Sequence, residues 1–290
     1  PSRVHNPIIL DPVINPMTVS FTDLSDCNLR SVAGVHLEYM ANMDIKASMS
    51  IRVLYNDSLW GLISCHHIEE KYLNYELCSV FEWLSSVISS RITSIINKEE
   101  FDYSTQLQNQ RVLLTDSIFA NNNLKALLID DAYHLTNLFK ATGTVLLLDG
   151  KMESRGKVPN GDDLDNLMLW LEGKCLDGIF YTHHLSDVYQ DALSFSDIVS
   201  GLLVIPIDSR KGDFVVCFRS ELIEDIKWGG DPNEAIRFDQ DGKNYHPRNS
   251  FSTWKQTVLQ HSLSWNKQEL EIASSLRNFL FEFRIKQFYN

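Results

Sequence analysis

Apolar positions along this chain recur with different periods, and the period indicates the element each stretch forms. From Glu70 to Ala120 there is neither proline nor glycine. Across the first half of that stretch Leu73, Leu77, Val80, Phe81, Leu84, Val87, Ile88, Ile92 and Ile95 recur at spacings of three and four. That predicts one long helix. A helix of about 50 residues runs on the order of 75 Å, more than a single globular domain needs, so it either joins domains or pairs with a copy of itself. Ahead of it, Leu29, Val32, Val35, Leu37 and Met40 predict a helix from Asn28 to Met43, with Gly34 its weak point. Lys46 to Tyr55 then alternates strictly. Ala47, Met49, Ile51, Val53 and Tyr55 fall on one face, and Ser48, Ser50 and Arg52 on the other. With the turn residues Asn56-Asp57-Ser58 and the apolar run Leu59 to Cys65, this predicts a β-hairpin.

Beyond the long helix a second compact unit begins near Asn123. Leu124 to Phe139 and Asp162 to Cys175 read as helices, and Ser186 to Leu193 as a short one. Gly143 to Asp149, Gly201 to Ile207 and Phe214 to Phe218 read as strands. Short strands at hairpin spacing between helices predict an α+β fold with a central antiparallel sheet. Ile226 to Trp254 breaks the pattern, with Trp228-Gly229-Gly230, Asp231-Pro232, Asp241-Gly242 and Pro247 among scattered charges. Excursions of that length are uncommon unless they are functional or disordered. Lys267 to Phe288 returns to helical spacing. Residues 1–26 hold four of the eight prolines and suit an extended surface segment.

Composition narrows the function. The 290 residues carry 26 Lys+Arg against 38 Asp+Glu, a formal net charge of −12, which argues against nucleic acid and against a polybasic membrane surface. No apolar run approaches the roughly 20 residues of a membrane span. Five cysteines with no CxxC pair give neither a zinc site nor a disulfide framework, so a reducing, cytoplasmic setting is expected. There is no GxxxxGK[ST], GxGxxG, GxSxG or HExxH signature. Neighbours on a strand point to opposite faces, so His66 and His67 do not converge on one metal, and His183-His184 fails in the same way. Cys65, inside an apolar strand, reads as a small hydrophobe rather than a nucleophile.

What converges is a set of polar groups: Arg30 and His36 less than two helical turns apart, Tyr39 one turn after His36, and Ser48 and Ser50 on one strand face. A guanidinium, an imidazole and hydroxyls suit a ligand with carboxylates and a conjugated polar edge. The alternative is a helix and sheet face that simply meets water.

The residues that carry this set also resemble a family. Leu29-Arg-Ser-Val-Ala-Gly-Val-His-Leu-Glu-Tyr-Met-Ala-Asn-Met43, Ala47-Ser-Met-Ser-Ile51 and Leu59-Trp-Gly-Leu-Ile-Ser-Cys-His-His67 are similar to the bilin-binding GAF domain of phytochromes. Trp228-Gly229-Gly230 with Pro247-Arg248-Asn249-Ser250-Phe251 resembles the tongue, the long hairpin that a PHY domain extends to seal the bilin pocket. The resemblance implies that His36 meets the pyrrole nitrogens through water and that Arg30, Ser48 and Ser50 hold the propionates. Tyr39 would line the pocket, and His66 would reach the ring that isomerises. In the tongue, Arg248 and Ser250 would exchange as partners of a GAF aspartate, and Trp228 and Trp254 as packing residues.

Val35 stands where plant-type and many cyanobacterial members carry the bilin-linking cysteine. The resemblance is therefore to the bacterial type, in which biliverdin is attached to a cysteine far upstream, outside this chain. Ala33 and Asp44 replace a serine and a glycine. The implied organisation is the C-terminal part of a GAF domain at 1–67, a connecting helix and dimer spine at 68–120, and a PHY domain at 121–290 with its tongue at about 226–254 and a C-terminal signalling helix. Both domains are expected as antiparallel sheets with flanking helices. The implied function is a red/far-red photoreceptor module, part of a longer protein and itself not an enzyme. Bilin isomerisation would refold the tongue and signal through long helices to an output domain, a histidine kinase or diguanylate cyclase. A homodimer through the long helices is expected, its apolar stripe including Leu84 and Ile88. The alternative is a GAF-type sensor of a small ligand resembling a cyclic nucleotide.

Overall fold

A computed structural model describes residues 2–4, 11–23, 30–125, 127, 135–208, 210–229, 231, 236–238, 245–247 and 252–289. The chain divides into two units, Pro1–Asn97 with Lys227–Gln256, and Lys98–Ile226 with Thr257–Asn290.

In the first unit β1 (Ser2–Val4) pairs in parallel with β4 (Arg30–Ser31), and β2 (Ile14–Asn15) pairs antiparallel with β3 (Ser20–Phe21). Helix α1 (Gly34–Asn42) starts later than the apolar spacing predicts. Arg30 and Ser31 are drawn into the ladder with Ser2 and Val4, and Ala33 is extended at φ −56° and ψ 136°. Gly34 is thus the first helical residue and not an interior flaw. The helix closes with Asp44 N–H on Ala41 O at 3.0 Å and Ile45 N–H on Met40 O at 3.0 Å, the paired bonds of a Schellman ending. Asp44 sits in the left-handed region at φ 58°. A left-handed backbone at a residue with a Cβ carries a strain of about 1 kcal/mol.

The hairpin forms as predicted, from β5 (Ala47–Tyr55) and β6 (Ser58–His67). Asn56 and Asp57, at φ 48° and 61°, give the turn the two positive φ values of a type I′ connection, whose twist matches the strands. Ile51 and Val53 are buried, while Ser48, Ser50 and Arg52 are exposed. Helix α2 (Tyr75–Asn121) is the long helix, 47 residues without a break. Its serines hold the hairpin: Ser85 Oγ donates to Arg52 O, and Leu54 N–H donates to Ser89 Oγ at 2.9 Å. Tyr55 OH reaches Asn97 Oδ1 at 3.2 Å.

The second unit is built on an antiparallel sheet in the order β8-β7-β11-β10-β9. These strands are β7 (Gly143–Leu148), β8 (Lys151–Gly156), β9 (Phe180–Thr182), β10 (Gly201–Asp208) and β11 (Asp213–Arg219). Asp149 and Gly150, at φ 48° and 70°, turn β7 into β8. Alternate residues of the central strands feed two cores. Leu203, Ile205, Val215 and Cys217 pack with Leu114 and Ile118 of α2 and with Ile272, Leu276 and Leu280 of α5 (Lys267–Tyr289). Leu202, Val204, Val216 and Phe218 pack with Leu164, Leu167 and Leu171 of α4 (Gly161–Gly173). Burial on both faces explains why these strands read as unbroken apolar runs. The predicted helix over Leu124–Phe139 is described at α3 (Leu135–Leu138), while 126 and 128–134 lie outside the described residues. The short helix expected at Ser186–Leu193 resolves into two 3₁₀ segments, Leu185–Asp187 and Gln190–Phe195.

Most described residues of the excursion are stranded. β12 (Glu224–Gly229) pairs with β15 (Thr253–Val258), and β13 (Ile236–Phe238) pairs antiparallel with β14 (Tyr245–Pro247) in the register Ile236↔Pro247, Arg237↔His246 and Phe238↔Tyr245. Ile236, Arg237 and the Thr253–Val258 stretch, which local sequence also suits to helix, are strand here.

Candidate functional site

The alternation that buries Ile51 and Val53 turns the hydroxyls of β5 outward, and antiparallel register sets their neighbours on β6. Ser48 lies opposite His66, and Ser50 lies opposite Ser64. Opposed residues of an antiparallel pair share a face, so three hydroxyls and an imidazole form one polar patch on the hairpin. Ser50 Oγ and Ser64 Oγ are 3.3 Å apart. Ser64 belongs to the patch although the sequence reading passed over it. Leu59–Cys65 reads locally as an apolar run, and only its register with β5 places Ser64 on the hydroxyl face.

On α1 the rings of His36 and Tyr39 lie 6.5 Å apart with an interplanar angle of 24°. Residues three apart on a helix are neighbours, and this spacing sets the imidazole beside the phenol. Arg30 is on β4 rather than on the helix, so a shared helical face does not relate it to His36.

The excursion reaches the same unit. Strand β14, ending in the buried Pro247, packs against α1, so two stretches far apart in sequence meet at the helix that carries His36. Trp228 lies on β12 and donates from Nε1 to Gln256 Oε1 of β15 at 3.1 Å. Gly229 ends β12, and Trp254 is half-buried on β15. Gly230, Arg248, Ser250 and Phe251 lie outside the described residues. Among the described residues no group of three or more His, Cys, Asp or Glu side chains is placed to hold a metal ion.

A polar hairpin face, a helix with a stacked imidazole and phenol, and a stranded excursion laid on that helix define a GAF-type module joined to a second α+β domain. Comparison with known proteins also divides the chain near residue 100, but counts the excursion with the second domain. The model of the GAF domain matches residues 4–92, and that of the phytochrome region matches residues 107–288. Cyanobacterial phytochrome A of Nostoc sp. is 35% identical over 289 residues, covering 99% of this chain and 38% of that protein. A bacteriophytochrome of Xanthomonas campestris is 29% identical over 282 residues, covering 94% of this chain and 44% of the relative. Among solved structures, bacteriophytochrome RpBphP3 from R. palustris superposes with a TM-score of 0.73 at 30% identity, covering 95% of this chain and 55% of that one. The chain belongs to the phytochrome family. It spans less than half the length of either of these two relatives.

Proposed function

We propose that this chain is the sensory part of a red/far-red photoreceptor and that its ligand is a bilin, biliverdin in particular. The observation that carries the reading is the packing of β14 against α1. It brings the excursion onto the helix that bears His36, within the unit that also holds the hydroxyl face. The residues present fit such a ligand. Ser48, Ser50 and Ser64 offer hydroxyl donors to propionate carboxylates, with Arg30 as the charged partner. His36 offers an imidazole beside an aromatic wall, and His66 stands at the end of the same sheet face. Val35, with no thiol, supports biliverdin over a ligand linked at that position. When bound, the bilin supplies a double bond that red light isomerises. The protein's part is to hold the carboxylates, to present His66, and to let the excursion exchange strand for helix, a segment transition of a known kind.

The reading extends to assembly. The first half of α2 exposes Leu77, Val80, Trp83 and Val87 at 45%, 55%, 67% and 44%, whereas Leu84 and Ile88 are half-buried. The exposed set lies on one face at spacings of three and four and supports a homodimer through the long helices. Trp83→Asp is expected to weaken that dimer at least tenfold in sedimentation equilibrium, and a monomeric wild type would refute it. The output would be a C-terminal histidine kinase or diguanylate cyclase in the cytoplasm. Among the described residues no helix is long and apolar enough to cross a membrane.

The test is an absorption spectrum of the complete protein expressed with biliverdin, taken before and after red illumination. A red band that converts reversibly toward far-red is expected. Ser48→Ala with Ser50→Ala should weaken bilin uptake at least about tenfold, since a hydrogen bond to a charged group contributes about 1.5–3 kcal/mol. A folded protein with no bilin band overturns the reading and favours a small-ligand GAF sensor.

A further inference from the structure

The second unit holds a densely bonded polar group of its own. Arg219, the last residue of β11, has a side chain 3% exposed and pairs through Nη2 with Glu269 Oε1 at 2.8 Å, the glutamate being 1% exposed. Its other donors are all used. Nε and Nη2 reach Phe139 O at 3.2 and 2.7 Å, and Nη1 reaches Leu263 O and Ser264 O at 3.1 and 2.9 Å. The guanidinium also lies 3.7 Å from the centre of the Trp265 ring. Glu269, in the first turn of α5, accepts from Asn266 N–H at 3.0 Å and from Tyr103 OH of α2 at 2.8 Å. Burial raises the pKa of the Tyr103 hydroxyl, so it remains a donor across the physiological range.

The position of this guanidinium in the chain gives it a role. β11 ends at Arg219 and β12 opens the excursion at Glu224. β15 closes the excursion at Val258, and the returning chain meets the same guanidinium at Leu263 and Ser264. The outgoing and returning segments are tied together by Leu222 N–H to His261 O at 2.7 Å and Gln260 N–H to Glu221 Oε1 at 2.6 Å. Ser262 is seated so closely on β10 that a Cβ at Gly201 would lie 2.0 Å from its Oγ. Both roots of the excursion, the start of α5 and the second half of α2 therefore share one buried ion pair. Partial movements are costly there, because a displaced guanidinium would leave buried carbonyls or a buried carboxylate without partners.

We propose that Arg219 is the positioning residue that couples the state of the excursion to α5 and α2, with Glu269 as its counterpart and Tyr103 as the branch to α2. The proposal rests on the photosensory reading and names how that switch is transmitted. Its test is amide hydrogen exchange, dark against red light, on the full-length bilin-loaded protein and on Arg219→Lys, Glu269→Gln and Tyr103→Phe. Wild type is expected to show a light-dependent exchange difference in 267–289 and in 103–121. Arg219→Lys keeps the charge but loses the fork, and Glu269→Gln keeps an acceptor but loses the charge. Both are expected to photoconvert with unchanged band positions while the difference in 267–289 falls at least about threefold. Tyr103→Phe should diminish the difference in 103–121 alone, and it decides the matter if the other two do not fold. Variants that keep the full wild-type difference overturn the proposal, as does a photoconverting wild type with no difference in 267–289. A wild type that binds no bilin fails earlier, at the spectrum, and takes the photosensory reading and this coupling down together.

Discussion

Arg219→Met is expected to destabilise the second unit by about 3–5 kcal/mol, the cost of removing one partner from a buried ion pair. The size follows from what is left behind. Glu269, 1% exposed, would keep its charge away from water with only Tyr103 OH and the Asn266 amide as donors. The carbonyls of Phe139, Leu263 and Ser264 would each lose a charged donor. The cation over the Trp265 ring would go as well, which makes tryptophan fluorescence the natural probe of a urea titration. The double variant Arg219→Met, Glu269→Leu removes the stranded charge and should recover a substantial part of the loss, because a buried pair replaced by apolar residues of similar volume is often near neutral. A coupling energy near zero in that cycle would mean that the two side chains do not stabilise each other.

The second large effect concerns the excursion. Its described strands are held by the β12–β15 and β13–β14 ladders, by Trp228 to Gln256, and by Thr257 Oγ1 to Asp225 Oδ1 at 2.9 Å. β12 is exposed along its whole length, so little apolar burial opposes its opening. If red light exchanges strand for helix, exchange rates of amides in 224–229 and 253–258 should change at least about tenfold between the dark and illuminated states of the bilin-loaded protein. A tenfold change corresponds to about 1.4 kcal/mol in local stability. Identical exchange in the two states would leave the strands as a fixed scaffold and remove the refolding step.

These expectations draw on parts of the chain that differ in legibility. The absence of proline and glycine from Glu70 to Ala120 made α2 readable, its end to within one residue and its start to within five. The alternation in β5 and the Asn-Asp turn made the hairpin readable, together with the side on which Ser48 and Ser50 lie. Other features depend on partners that no local window contains. β4 exists because Arg30 and Ser31 meet β1 at the other end of the segment, and that ladder is what shortened α1. β8, Lys-Met-Glu-Ser-Arg-Gly, has no apolar face to betray it, since it is covered on one flank only. Arg219 and Glu269 look like ordinary surface charges until the fold joins β11 to the first turn of α5. The elements that carry His36, Ser48, Ser50 and His66 were legible, Arg30 was placed on a helix and lies on β4, and Arg248, Ser250 and Phe251 rest on the resemblance alone.

The edge strands of the five-stranded sheet set a limit on how copies of this protein can associate. One edge is β8, which carries Lys151, Glu153 and Arg155 at alternate positions, and the other is β9, only three residues long. A charged edge and a stunted edge both discourage a neighbouring chain from continuing the ladder. In a crowded cell this protects the domain from joining others edge to edge, strand upon strand. Assembly is left to the sides of its helices, where contacts can slide or rotate without breaking a backbone ladder.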